Sequence, residues 1–135
     1  QGKRVIDYGC GSGILAIAAA KLGATQVDGV DLDPQALIAT QDNAEKNQIT
    51  TINSFLPDKF PKAAKADLLL ANILAGPLEE LAPMLSNHVI SGGAIVLSGI
   101  LSDQAEAVSH AYSHWFEMEP ATLQEEWVRL SGVKR

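Results

Sequence analysis

The chain holds a single cysteine, Cys10, among 135 residues. An internal disulfide is thereby excluded, and a reducing, cytoplasmic setting is expected. No apolar run approaches the roughly 20 residues that a membrane-spanning helix requires, and no signal peptide is expected. No membrane partner is expected. Basic residues are few: 10 Lys and Arg against 16 Asp and Glu give a net charge of −6, and the lysines are scattered rather than clustered. A face able to neutralise phosphates is missing, which disfavours direct nucleic-acid binding and suits a basic protein partner better. Internal repeats and low-complexity tracts are absent as well. The length fits one domain with a sizeable core, residues 1–135. The chain opens on Gln1, and its first strand follows almost at once, so a missing upstream segment is expected.

What is present begins with the run Val5-Ile6-Asp7-Tyr8-Gly9-Cys10-Gly11-Ser12-Gly13, followed by an alanine-rich stretch to Ala20. This reads as a buried strand that turns through glycines into a helix. Gly9, Gly11 and Gly13 permit a tight turn, let a ligand approach bare backbone, and aim the helix N-terminal N–H groups at it. A dinucleotide fingerprint would place its third glycine at position 14, where Ile14 stands. A nicotinamide oxidoreductase, the alternative of a different class, is disfavoured on that count. Cys10, inside the turn, is expected to be a small residue without a chemical role.

A second acidic strand end, Val27-Asp28-Gly29-Val30-Asp31-Leu32-Asp33-Pro34, follows on the order of 20 residues later, where such folds place a carboxylate on the ribose hydroxyls. Asp31 occupies that place. Asp33 competes for it, but Asp before Pro is how a helix begins, so Asp33 is expected mainly as an N-cap. Leu32 then lies where an adenine ring could rest.

The remainder alternates strands with helices. Strands are expected at Arg4 to Tyr8, Gln26 to Leu32, Thr50 to Phe55, Asp67 to Ala71 and Ala94 to Ser98, and a final antiparallel pair at Met118 to Gln124 and Trp127 to Val133. Helices are expected at about Gly13 to Leu22, Pro34 to Lys46, Pro77 to Asn87 and Ser102 to His114. The fold class is α/β: a doubly wound, mostly parallel sheet with ligands at the carboxyl ends of its strands. Gly9 to Gly13, Asp31, Phe55 to Pro57 and Ala71 to Ala75 all fall at such ends.

The D-x-G-x-G-x-G pattern that starts at Asp7 resembles motif I of the class I methyltransferases, which use S-adenosylmethionine. Asn72-Ile73-Leu74-Ala75, directly after the central strand, stands where amine methyltransferases of that class carry N-P-P-Y. Its final aromatic is replaced by Ala75, which removes the platform for a planar base but not for an aliphatic amine. The string through Leu78, together with Leu97-Ser98-Gly99-Ile100-Leu101 and Glu125-Glu126-Trp127, resembles the PrmA family, which methylates large-subunit ribosomal protein eleven.

The resemblance implies a Rossmann-like catalytic domain with an antiparallel C-terminal strand, joined in the whole protein to an upstream substrate-recognition domain. It implies a cofactor site of Asp7, Gly9, Gly11, Gly13, Asp31, Leu32 and Asn72, with Asp7 near the methionine ammonium. It also implies an acceptor clamp, in which the Asn72 carboxamide oxygen and the Ile73 carbonyl hold the target amine. The family methylates lysine side chains and a terminal α-amine. A class I enzyme acting on an RNA base amine or another protein amine would keep the same site.

Methyl transfer calls for neither a metal nor a nucleophilic residue. His88, His110 and His114 are expected on the surface, and Trp115, Phe116 and Trp127 are expected to pack the sheet rather than to wall a pocket. Glu125 and Glu126 are read as solvated charges in preference to an attraction for basic substrate.

Overall fold

Strand β1, Arg4–Tyr8, is buried from Val5 onward, as befits a parallel strand covered on both faces. The structure is a computed structural model that describes residues 2–124 and 127–135. Glu125 and Glu126 therefore lie outside the described residues. Two units make up the chain, Gln1–Ala66 and Asp67–Arg135.

In the first unit the strand order is β3-β2-β1. β1 runs parallel to β2, Gln26–Val30, with Arg4 opposite Gln26 and Tyr8 opposite Val30. β2 runs parallel to β3, Ile52–Phe55, with Val27 opposite Ile52. Helices α1, Ile14–Lys21, and α2, Pro34–Lys46, connect them. Val5, Ile6, Val27, Val30 and Ile52 form the core with Ala16 and Ala44. Helix ends are closed by the same device twice. Gly23 and Ala24 donate to Ala20 and Ala19 at the end of α1, and Gln48 and Ile49 donate to Glu45 and Ala44 at the end of α2. Both are paired closures around a left-handed residue, with φ of 106° at Gly23 and 59° at Gln48.

The second unit holds all but the first residue of β4, Ala66–Asn72, followed by α3, Ala75–Asn87, and β5, Val89–Leu101. After a short 3-10 turn come α4, Ala105–Tyr112, β6, Phe116–Met118, β7, Thr122–Gln124, and β8, Trp127–Lys134. The order is β4-β5-β8-β6, and β7 also pairs with β8. β8 is antiparallel to β5, β6 and β7, with a register shift between Leu97 and Ile100. Leu69, Leu78, Leu85, Ile95, Leu97, Ile100, Tyr112, Phe116 and Leu130 are fully buried. The Tyr112 hydroxyl donates to the Leu78 carbonyl at 2.7 Å, and burial pushes its pKa upward.

Several expectations need correction. β5 starts at Val89 rather than Ala94 because Gly92 and Gly93 are strand residues, not a break. Gly93 has no room for a side chain: a Cβ there would lie 2.9 Å from the Asp67 carbonyl oxygen. α3 starts at Ala75, two residues before Pro77; a proline in the first turn removes an N–H that has no acceptor there. The expected C-terminal pair is three strands, β6 and β7 both lying on β8. His88 is buried at 3% exposure, because the chain passes from α3 into β5 with only this residue between them. His110 and His114 are exposed, Phe116 is buried, and Trp115 is half-buried.

Candidate active site

The glycine turn is a left-handed corner at three places, with φ of 81°, 56° and 87° at Gly9, Gly11 and Gly13. L side chains rarely adopt that region, so the alternating glycines are a backbone requirement. Gly9 and Cys10 both donate to the Val30 carbonyl, at 2.6 and 3.1 Å, which ties the turn to the tip of β2. A Cβ at Gly13 would lie 2.9 Å from Thr40 Cγ2. At Gly11, by contrast, a Cβ would meet nothing within 4 Å. The backbone is bare on that side and open to a ligand.

Two residues that the sequence reading missed hold the turn from α2. Thr40 donates to the Gly11 carbonyl at 3.0 Å, and Asn43 donates to the Ser12 carbonyl at 2.9 Å. Their only sequence signal is a polar pair three residues apart on one helical face, and their partners lie about thirty positions away. Cys10 Sγ lies 3.4 Å from Thr40 Oγ1. Burial pushes its thiol pKa up, which keeps the sulfur protonated and un-nucleophilic.

The carboxylates divide by role. Asp31 Oδ2 accepts from the Gly11 N–H and its Oδ1 from the Asp33 N–H, both at 2.9 Å. It thus sits against the glycine turn, with one further lone pair on each oxygen. Asp33 Oδ1 accepts from the Gln35 N–H at 2.9 Å; it is the N-cap of α2, as read from Asp-Pro. Leu32, between them, is 82% exposed. Asp7, at the inner end of β1, is 1% exposed, and neither of its oxygens has a hydrogen-bond partner among the described residues. Desolvation raises its pKa to about 6; the Ala16 N–H opposes the rise without reaching hydrogen-bond geometry, and the charge of Asp31 adds to it. A buried carboxylate left without a partner is costly unless a cation or donor arrives to meet it.

In the second unit, Asn72 ends β4 and is exposed, Ile73 is half-buried, and Ala75 opens α3. Among the described residues no hydrogen bond engages the Asn72 carboxamide. Its oxygen and the Ile73 carbonyl are therefore two acceptors at the strand tip with capacity for an incoming donor.

A glycine turn with an acidic strand end on each side, in an α/β, doubly wound, mostly parallel sheet with an antiparallel C-terminal strand, defines a class I methyltransferase domain. A ribosomal protein L11 methylase from Lactobacillus delbrueckii subsp. bulgaricus has the same fold, at a TM-score of 0.91 and 34% identity over 100% of this chain and 71% of that one. The family model for ribosomal protein L11 methyltransferase (PrmA) matches residues 1–135, and the chain belongs to that family. The L11 methyltransferases of Laribacter hongkongensis and Escherichia coli are 58% and 55% identical to it, over 99% and 98% of its length. The chain spans 45% and 46% of those two relatives.

Proposed function

We propose that this chain is the catalytic domain of an S-adenosylmethionine-dependent enzyme that methylates amino groups of ribosomal protein L11. The targets are lysine side chains and the terminal α-amine. The observation that carries the cofactor assignment is Asp7: a buried, unpartnered carboxylate beside an open glycine turn suits the ammonium of an amino-acid-bearing ligand. Asp31 and Leu32 would meet the ribose and adenine, with Gly9, Gly11 and Gly13 giving backbone access. The bound cofactor supplies an already activated sulfonium methyl.

The chain's own contribution is positioning and the removal of water. Asn72 Oδ1 and the Ile73 carbonyl would accept the two N–H bonds of a neutral amine and leave its lone pair free for attack. Neutrality is the larger demand, because a lysine of ordinary pKa is only about one part in 2500 neutral at pH 7, a cost of roughly 4.6 kcal/mol. An α-amine needs only about 1 kcal/mol. Two neutral acceptors hold the amine without stabilising its charged form as a carboxylate would. Recognition of the target belongs to an upstream domain. With a net charge of −6, this domain suits a basic protein better than a nucleic acid, and its single cysteine suits a reducing, cytoplasmic setting. No helix of the described residues is long and apolar enough to cross a membrane.

The test uses the full-length protein with purified ribosomal protein L11 and methyl-labelled S-adenosylmethionine. Asn72→Ala should lower methyl transfer by about 10²-fold or more, as misplacing a reacting group does, while cofactor affinity stays within a few fold. Full turnover by that variant would remove the clamp.

A further inference from the structure

The structure assigns Gly99 as the residue that sets the aim of the two acceptor oxygens, a positioning role that rests on the clamp proposed for Asn72 and Ile73. Gly99 lies in β5 at the register shift between Leu97 and Ile100, where the strand departs from regular pairing with β8. Bulges of this kind re-aim what lies beside them. Its φ is +83°, and a Cβ built there would lie 2.8 Å from Asn72 Oδ1 and 2.9 Å from the Ile73 carbonyl oxygen. Two oxygens that share a point at those distances are near enough together to accept from a single nitrogen. They also converge on a place in β5 that carries no side chain. Any β-carbon at position 99 would have to displace both oxygens, and one of them belongs to the backbone.

Gly92 provides an internal comparison. It lies in the same strand with the same φ of +83°, yet a Cβ there would meet nothing within 4 Å. Substituting alanine at either site imposes similar backbone strain. Only at position 99 does it also press on the clamp.

The experiment compares Gly99→Ala, Gly92→Ala, Asn72→Ala and the Gly99→Ala/Asn72→Ala double variant in the full-length protein. Gly99→Ala should lower kcat for methylation of purified ribosomal protein L11 at least tenfold, with S-adenosylhomocysteine affinity within threefold of the parent. Gly92→Ala should lose comparable melting temperature and keep kcat. The double variant should turn over within threefold of Asn72→Ala alone and melt above Gly99→Ala, because truncating the carboxamide frees space for the new methyl. Should Gly99→Ala fail to fold, a folded double variant supports the assignment and an unfolded one overturns it. A Gly99→Ala enzyme with kcat within threefold of the parent, beside a crippled Asn72→Ala, overturns the role of Gly99 and leaves the clamp standing. Full turnover by Asn72→Ala overturns both.

Discussion

Asp7 and Asp31 stand on either side of the glycine turn, yet burial gives them opposite characters. Asp31 is satisfied by two backbone N–H groups. Asp7 has no hydrogen-bond partner among the described residues, and its pKa rises to about 6 from an ordinary 3.8. Because the folded value exceeds the unfolded one, the unliganded protein is most favoured below pH 4 as far as this group is concerned. It loses on the order of 3 kcal/mol as pH climbs from 4 to 6. A cation on the carboxylate reverses the penalty. Calorimetry with S-adenosylhomocysteine should therefore show affinity rising from pH 5 to pH 7 with proton release on binding below pH 6. Asp7→Asn should flatten that profile; an unchanged profile would unseat Asp7 as the ammonium partner. Asp31→Ala should weaken the same ligand by about 1 to 3 kcal/mol, part of it from loosening Gly11. Asp33→Ala should leave affinity alone and lower the melting temperature, since losing an N-cap costs about 1 kcal/mol.

The elements that the sequence announced are those whose ends are marked by local chemistry. Arg4–Tyr8 and Pro34–Lys46 were legible to the residue because an apolar run and an Asp-Pro start require nothing distant. The start of β5 was not, since Gly92 and Gly93 look like a break until the Asp67 carbonyl is seen packed against one of them. Thr40 and Asn43 were equally hidden, because a hydrogen bond across thirty residues leaves no local trace. The motif glycines and Asp31 were visible, whereas Gly99 was visible only as part of a string. One helix end invites a change. Gln48 closes α2 at φ 59°, where a non-glycine residue costs roughly 1–2 kcal/mol and glycine gives back about 0.5–1 kcal/mol in unfolded-chain entropy. Gln48→Gly should raise stability by roughly 0.5–1 kcal/mol, read as a higher melting temperature. A lower one would mean the Gln48 side chain makes up for its backbone.

For the whole molecule, the ammonium role proposed for Asp7 has a kinetic consequence. Methyl donor and demethylated product carry the same ammonium, so a group aimed at that end grips both alike. Such uniform binding adds nothing to the rate of transfer once donor is saturating, and it delays departure of the spent product. Discrimination between the two has to come from contacts at the sulfur, where they differ. With Asp7 in the role proposed for it, the glycine turn and its buried acid would make the enzyme a sensor of the ratio of product to donor in its surroundings. Methylation of its target would slow when product accumulates, even while donor remains plentiful.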